Sequence, residues 1–393
     1  MARVTKRTWK HDGGGTAWLL TYHDARGIRR RKQFEKKADA EAERIRIEGQ
    51  LATGVHVPDR ASITLLDGAM AFLADFEDLV KAGKRERSTL RAYQQQINLH
   101  LKPYAISSLR LSRLGGPDCT TYARALEASL SDAMATRVFA LLRHVLKFAQ
   151  GNGWISANPA TAVTIRTAGE RAGDADRVDI PPQAQIKSLF EAAKGFDITG
   201  QAEAMVAVLA FGGLRASELR GLPRRALRLN EGKIGVIQRA DRWNVIGPCK
   251  TKNSRRTVPV PPVAINAIKR WLDNAPPSED GLVFPNGAGK VESYANIYNR
   301  IWVPLMDAAG LVDVKIKGKG ENAVRTVSPW FALHTLRHVA CSLWIEQGAT
   351  PKKIQTWAGH ASIQFTQDRY GHLWTDDLSD QAITRAIERS LLG

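Results

Sequence analysis

Residues 211–219, FGGLRASEL, join two segments of helical character through a pair of glycines. The apolar residues that precede them predict a helix over about 201–211, and Gly212 and Gly213 end it. A second helix is expected to begin directly afterwards, with Arg215 at its start. Glu218 follows one turn later and can brace the Arg215 guanidinium. The stretch therefore predicts a rigidly held arginine between two helices.

Three short motifs downstream carry further polar side chains in a fixed order. HTLRH places His334 and Arg337 at positions i and i+3 of a predicted helix, on one face. AGH supplies His360, and DRYGH supplies Tyr370. Alone, each motif is weak, because an HxxR pair is more often a surface or capping pair and most tyrosines are packing residues. The ordered set, with a lysine from a β-hairpin between the first arginine and the histidines, is a strong signal.

The remaining chain divides into segments of different character. We expect one domain over 1–56, a helical domain over 60–165, a linker over 166–179 and a mixed domain over 180–393, because the linker lacks apolar side chains that could nucleate a core. The fold class is multidomain and mainly α, with small antiparallel β-sheets (α+β). Residues 315–320 are expected to form a basic loop.

The first of these segments predicts a hairpin over 17–34, followed by a helix from about 38 to 50. Its second strand carries Arg29, Arg30, Arg31 and Lys32. Since a two-stranded ribbon fits the major groove of DNA, this strand is a candidate DNA-binding element. An exposed basic strand that resists edge aggregation is an equally good interpretation of the strand alone.

The charge favours a polyanionic partner. The chain has 393 residues and a formal net charge of +18, and residues 220–256 hold eleven Lys/Arg against two acidic residues. This localised charge indicates a groove that follows phosphates, with a solvated face as the alternative. No apolar run is long enough for a membrane span, and no signal peptide is visible, so we expect a cytoplasmic, nucleoid-associated protein. The cysteines Cys119, Cys249 and Cys341 lack the spacing of a zinc site and are interpreted as reduced and structural.

Taken together, these motifs resemble the tyrosine recombinase (phage integrase) family, of the phage or mobile-element type, over nearly the whole chain. GTAWLLTYHDARGIRRRKQF, residues 15–34, looks like the family's N-terminal arm-type DNA-binding domain. LLRHVLKFAQGNGWISANPA, residues 141–160, looks like the end of its helical core-binding domain. The resemblance implies a clamp of these domains and the catalytic domain around a duplex.

The resemblance also implies a role for each site residue. Arg215, His334 and Arg337 would activate the phosphate, with His360 as their companion, and Tyr370 would be the nucleophile. Arginine suits this task because its forked donors stay protonated and match phosphate oxygens. A phenol, with a pKa near ~10, needs help to lose its proton. His334 is the candidate for that help.

A lysine of the hairpin over 247–259 would protonate the leaving 5′-oxygen. Lys250 fits the family's pattern better than Lys252, which we interpret as a turn lysine that grips a phosphate, and both remain open. The neighbouring Arg255 and Arg256 are further candidates for DNA binding. No tight carboxylate cluster accompanies the site, so we expect no metal and no cofactor.

The expected reaction is strand cleavage and rejoining through a 3′-phosphotyrosine, most simply for a prophage or other mobile element. The expected partners are double-stranded DNA at core and arm-type sites, further copies of the chain in a synaptic tetramer, and accessory DNA-bending or excision factors. A type IB topoisomerase-like activity is one alternative, although two separate N-terminal DNA-binding modules favour recombination. The other is a non-catalytic DNA-binding protein on the same fold, which the complete polar set disfavours.

Overall fold

The computed structural model describes residues 2–9, 15–24, 27–52, 62–166, 178–249, 251–318, 324–374 and 379–392. The chain forms two units, Met1–Gly169 and Glu170–Gly393. Helices predominate and the strands form small antiparallel sheets, which confirms the predicted fold class. No described helix has the length and apolar character that crossing a membrane requires.

The first unit opens with a three-stranded sheet of order β1-β2-β3, backed by a helix. Its elements are β1 (Arg3–Trp9), β2 (Gly15–His23), β3 (Arg29–Phe34) and α1 (Lys37–Ala52). The predicted hairpin and helix are confirmed, since β2 pairs with β3 from Trp18↔Phe34 to His23↔Arg29. Leu20 and Tyr22 of β2 pack on Ile47 of α1. The sequence did not reveal β1, an edge strand with little buried surface.

The rest of the first unit is helical. It consists of α2 (Leu65–Lys81), α3 (Arg87–Gln96), which continues as a π-helical turn (Ile97–Leu101), α4 (Gly116–Ser129) and α5 (Asp132–Gly151). Thr64 caps α2 reciprocally with Asp67, which satisfies backbone donors at the helix start. The predicted stripe of α2, including Phe72 and Phe76, packs against α5 in a core of its own, separate from that of the sheet. The domain boundary near residue 60 stays a prediction.

The core of the second unit is built around α7 (Gln201–Gly212), a helix whose residues are nearly all buried. The helices are α6 (Gln183–Phe196), α7 (Gln201–Gly212), α8 (Ala216–Arg220), α9 (Pro262–Asn274), α10 (Tyr294–Asn296), α11 (Val303–Ala308), α12 (Thr335–Glu346), α13 (Pro351–Ala358), α14 (Ile363–Tyr370) and α15 (Ser379–Leu392). A π-helical segment, Ile297–Trp302, joins α10 to α11. Since α7 contacts α6, α9 and α12, it is the centre of this core.

The strands of the second unit form three small sheets. They are β4 (Leu227–Arg228), β5 (Lys233–Val236), β6 (Gln238–Ala240), β7 (Ile246–Pro248), β8 (Arg256–Pro259), β9 (Val312–Lys317) and β10 (Val324–Pro329). β8 pairs with β5, whereas β7 pairs with β6. The segment 247–259 is therefore not one simple hairpin, because its two strands belong to different sheets. The expected loop over 315–320 was also wrong in part, because residues 315–317 belong to the hairpin β9–β10.

Candidate active site

The turn between α7 and α8 fixes the first arginine. Gly213 has φ +60°, and a Cβ there would lie 2.8 Å from the Trp344 ring, so only glycine fits. Arg215 is the N-cap of α8. Its Nη1 donates to Glu218 Oε1 at 2.7 Å, and its backbone N–H donates to Glu218 Oε2 at 2.9 Å. The i, i+3 brace that the sequence predicted is therefore present.

Glu218 is also paired with Arg256, and this pair is buried. The side chains are 3% and 2% exposed, and Arg256 Nη2 lies 2.9 Å from Glu218 Oε2. Arg256 Nε donates to the Trp357 carbonyl at 2.6 Å. Burial acts to raise the pKa of Glu218, but the charges of Arg256 and Arg215 lower it below the usual value. Arg256 does not fit the expected DNA-binding role, because its donors point into the protein; Arg255 beside it is exposed.

The second arginine, Arg337, shares neighbours with the first. It is buried on α12, and its guanidinium donates to the carbonyls of Gly213, at 2.6 Å, and Ala358. Arg215 Nη2 donates to the Gly359 carbonyl at 3.0 Å. Burial, with Arg215 nearby, lowers the pKa of Arg337 to about 10, so it remains a cation at neutral pH. The turn after α13 therefore holds both guanidiniums.

His360 and Tyr370 follow directly from this turn. His360 Nδ1 is hydrogen-bonded to Thr366 Oγ1 at 2.9 Å. Its ring stacks on that of Tyr370, with centroids 5.9 Å apart and planes 11° apart. Burial and the nearby Arg337 lower the pKa of His360 to about 3, which leaves the imidazole neutral. Tyr370 ends α14, and burial raises the pKa of its phenol above the usual range.

The histidines of HTLRH lie side by side at the start of α12. The rings of His334 and His338 are 5.2 Å apart and perpendicular. His334 keeps an exposed edge, yet partial burial of the ring and the charges of Arg337 and Arg215 lower its pKa to about 4. His338, rather than His334, is hydrogen-bonded to the Tyr370 hydroxyl, with Nδ1 2.6 Å from Oη. His338 is not among the site residues predicted from the sequence, although its i, i+4 spacing from His334 was a usable signal.

Asn253, close in sequence to the two candidate lysines, contacts the residue that follows His360. Lys250 is outside the described residues, and of Lys252 only the backbone is described, in a 3₁₀ turn over Lys252–Ser254. Asn253 Nδ2 donates to the Ala361 carbonyl at 3.2 Å, and the hydroxyls of Thr251 and Ser254 are 2.9 Å apart. This segment is therefore anchored next to His360, while the choice between the two lysines stays a prediction.

The basic strand β3 divides its side chains between two faces. Arg29 and Arg31 are exposed on the face away from α1. Arg30 and Lys32 are instead paired with Asp24 at 2.9 Å and Glu43 at 2.5 Å. Their predicted DNA contacts do not fit these pairings. Two arginines of β1, Arg3 and Arg7, line the open face as well.

The described site is rich in cations and neutral imidazoles around a phenol. Within the described ranges, no group of three or more histidine, cysteine or acidic side chains is arranged to hold a metal ion. Such a set can bind an anionic ester and pass protons, and it offers one oxygen nucleophile.

Known proteins resemble this chain in sequence and in fold. The sequence model described as "Phage integrase family" matches residues 182–376. A XerC-like tyrosine recombinase of Caldanaerobacter subterraneus is 24% identical over 89% of this chain and 90% of its own length. Prophage integrase IntR of Escherichia coli is 26% identical over 62% of this chain and 58% of its own length. Among solved structures, the Tn1549 transposon integrase bound to a circular intermediate DNA superposes with a TM-score of 0.63 at 18% identity, covering 84% of this chain and 99% of that one. The chain therefore belongs to the phage integrase family and is a site-specific tyrosine recombinase.

Proposed function

We propose that this recombinase cuts and rejoins double-stranded DNA through a 3′-phosphotyrosine at Tyr370, to integrate or excise a prophage or other mobile element. The observation that carries the proposal is the convergence of two guanidiniums on one turn. Arg215 and Arg337 both donate to backbone carbonyls of that turn, and the next residue, His360, stacks on Tyr370. A phosphate bound there would meet two fixed cations and lie near a phenol.

The proposed chemistry assigns each proton. Arg215 and Arg337 neutralise the non-bridging oxygens as charge develops on them. Tyr370 Oη bonds to phosphorus while the bond to the 5′-oxygen breaks; the phenol proton passes to His334, and Lys250 protonates the leaving oxygen. In the second step, a 5′-hydroxyl of the partner DNA attacks phosphorus. The proton transfers reverse, and Tyr370 is released with its proton.

The domains would bind different DNA sites. The open face of the N-terminal sheet, with Arg3, Arg7, Arg29 and Arg31, would bind arm-type sites through the domain 1–56. The domain 60–165 and the catalytic domain would bind the core site. A lambda integrase tetramer bound to a Holliday junction, 16% identical with a TM-score of 0.53, provides a precedent for a synaptic tetramer. Accessory DNA-bending or excision factors would assist it at the nucleoid.

The test is capture of the covalent intermediate. The core site is first selected by the protein from a pool of random duplexes and then rebuilt with a nick, so that the cleaved end is lost and the adduct accumulates. Wild type should become linked to the DNA through the peptide that contains Tyr370, whereas Tyr370→Phe should bind the same duplex without an adduct. An adduct with Tyr370→Phe would refute the nucleophile assignment. Relaxation of supercoiled plasmid without strand exchange would favour the topoisomerase alternative.

A further inference from the structure

The hydroxyl group of Tyr370 lies inside the protein. The residue is 0% exposed and packs in a cluster with Cys341, Ile345, Ile354 and Ala358. An oxygen that water does not reach is not accessible to a phosphate of DNA. Strand cleavage by Tyr370 therefore requires a change in its position.

A side chain of α12 holds the hydroxyl in this place. His338 Nδ1 lies 2.6 Å from Tyr370 Oη, and Cys341 packs in the same cluster as Tyr370. Burial, with His334 and Arg369 nearby, lowers the pKa of His338 to about 4. The imidazole is therefore neutral at pH 7, and its unprotonated nitrogen can accept the phenol proton in a hydrogen bond.

The groups that would activate the phenol are directed elsewhere. Arg337 donates to the Gly213 and Ala358 carbonyls, and Arg215 donates to Glu218 and the Gly359 carbonyl. Burial meanwhile raises the pKa of Tyr370, with Cys341 as the next contribution. The position is therefore unreactive: the phenol is satisfied by a hydrogen bond, hard to ionise and out of reach.

The helix that carries Tyr370 can move at modest cost. α14 is eight residues long, and its outer side chains Ile363 and Phe365 are 41% and 42% exposed. A shift of this helix uncovers little apolar surface beyond Tyr370 itself. The hydrogen bond from Tyr370 to His338 therefore acts together with burial of the ring to keep the hydroxyl withdrawn.

We infer that His338 is a positioning residue that holds the nucleophile hydroxyl in a withdrawn position, so that cleavage begins when this hydrogen bond breaks and Tyr370 moves toward the arginines. The inference rests on the proposed role of Tyr370 as nucleophile. In this role His338 slows strand cleavage, whereas a residue that accepts the phenol proton would accelerate it.

Because the two roles would change the cleavage rate in opposite directions, variants of His338 distinguish them. His338→Phe fills a similar volume but cannot accept the hydrogen bond, whereas His338→Asn places an amide oxygen near the position of Nδ1 and retains it. Single-turnover adduct formation on a nicked half-site is measured for each variant. We expect His338→Phe to react about threefold to tenfold faster than wild type, the range that one neutral hydrogen bond sets. His338→Asn should react at the wild-type rate.

A DNA-free measurement makes the test independent of the nucleophile assignment. Acetylation of the Tyr370 phenol by N-acetylimidazole, read on its peptide by mass spectrometry, should rise in His338→Phe and stay low in His338→Asn. If wild type forms no adduct, the proposed function fails, and the acetylation result alone decides the inference. The inference is overturned if His338→Phe leaves both measurements unchanged, or if adduct formation slows in both His338 variants, since His338 would then be the proton acceptor.

Discussion

Replacing Arg256 with methionine removes the buried partner of Glu218. Because the two side chains are only 2% and 3% exposed, solvent does not screen the pair, and the small values typical of surface ion pairs do not apply. The Trp357 carbonyl, at 2.6 Å, also loses its donor. Breaking a buried pair from one side costs about 3–5 kcal/mol. Because Arg215 still pairs with Glu218, we expect a loss of about 3 kcal/mol in the free energy of unfolding, the lower end of that range. This is a large fraction of the ~5–15 kcal/mol typical of a domain.

The matched control is the adjacent residue. Arg255 is exposed, so Arg255→Met should change the free energy of unfolding by about 0.5 kcal/mol or less. Urea unfolding followed by circular dichroism measures both variants, and the double variant Glu218→Gln with Arg256→Met should lose less than the sum of the single changes. If Arg256→Met is as stable as Arg255→Met but binds DNA more weakly, Arg256 contributes to DNA binding and not to stability through the buried pair.

Three further predictions concern the lysines, pH and the C-terminal helix. With a substrate whose 5′-bridging oxygen is sulfur, cleavage by Lys250→Ala should be restored, and Lys252→Ala should gain little; the reverse pattern would move the acid role to Lys252. Because the folded-state pKa of Glu218 is lowered, its contribution to stability is present above its ordinary value of 4.5 and is lost as pH falls through the lowered value, so acid titration of unfolding should be steeper for wild type than for Glu218→Gln. A variant ending at Asp377 should keep its melting temperature, because Ile387 of α15 is 53% exposed, yet lose cooperative binding of a second protomer; unfolding of the truncated protein would place α15 in its own core.

Local sequence patterns were sufficient to predict most of the helices and strands and the order of the polar site residues along the chain. The glycine pair ahead of Arg215 and the i, i+3 spacing of Glu218 depend on neighbours within one turn, and the structure has both. β1 was missed because one face of this edge strand is open and its apolar residues are few. The alternation of apolar and polar residues that indicates a strand cannot be recognised where only Val4 and Trp9 are apolar.

The partners of charged side chains could not be predicted, because they come from distant segments. Arg256 is 38 residues from Glu218, and 101 residues from the Trp357 carbonyl to which it donates. Of the neighbours Arg255 and Arg256, only Arg256 lies in β8, where it is buried, whereas Arg255 precedes the strand and is exposed. This difference depends on the pairing of β8 with β5, a contact between segments some twenty residues apart.

Several arginines of the charge cluster over 220–256 are likewise bound within the protein. Arg220 is 3% exposed and donates to the carbonyls of Glu292, at 2.6 Å, and Asp241, at 3.0 Å. Arg224 donates to the carbonyls of Leu282 and Pro276, and Arg256 is in the buried pair with Glu218. Because these guanidiniums donate to groups of the protein itself, we expect them to contribute little to counterion release when DNA binds. The sequence therefore overstates the cationic surface of this segment, in which Arg225, Arg228 and Arg255 are among the exposed side chains.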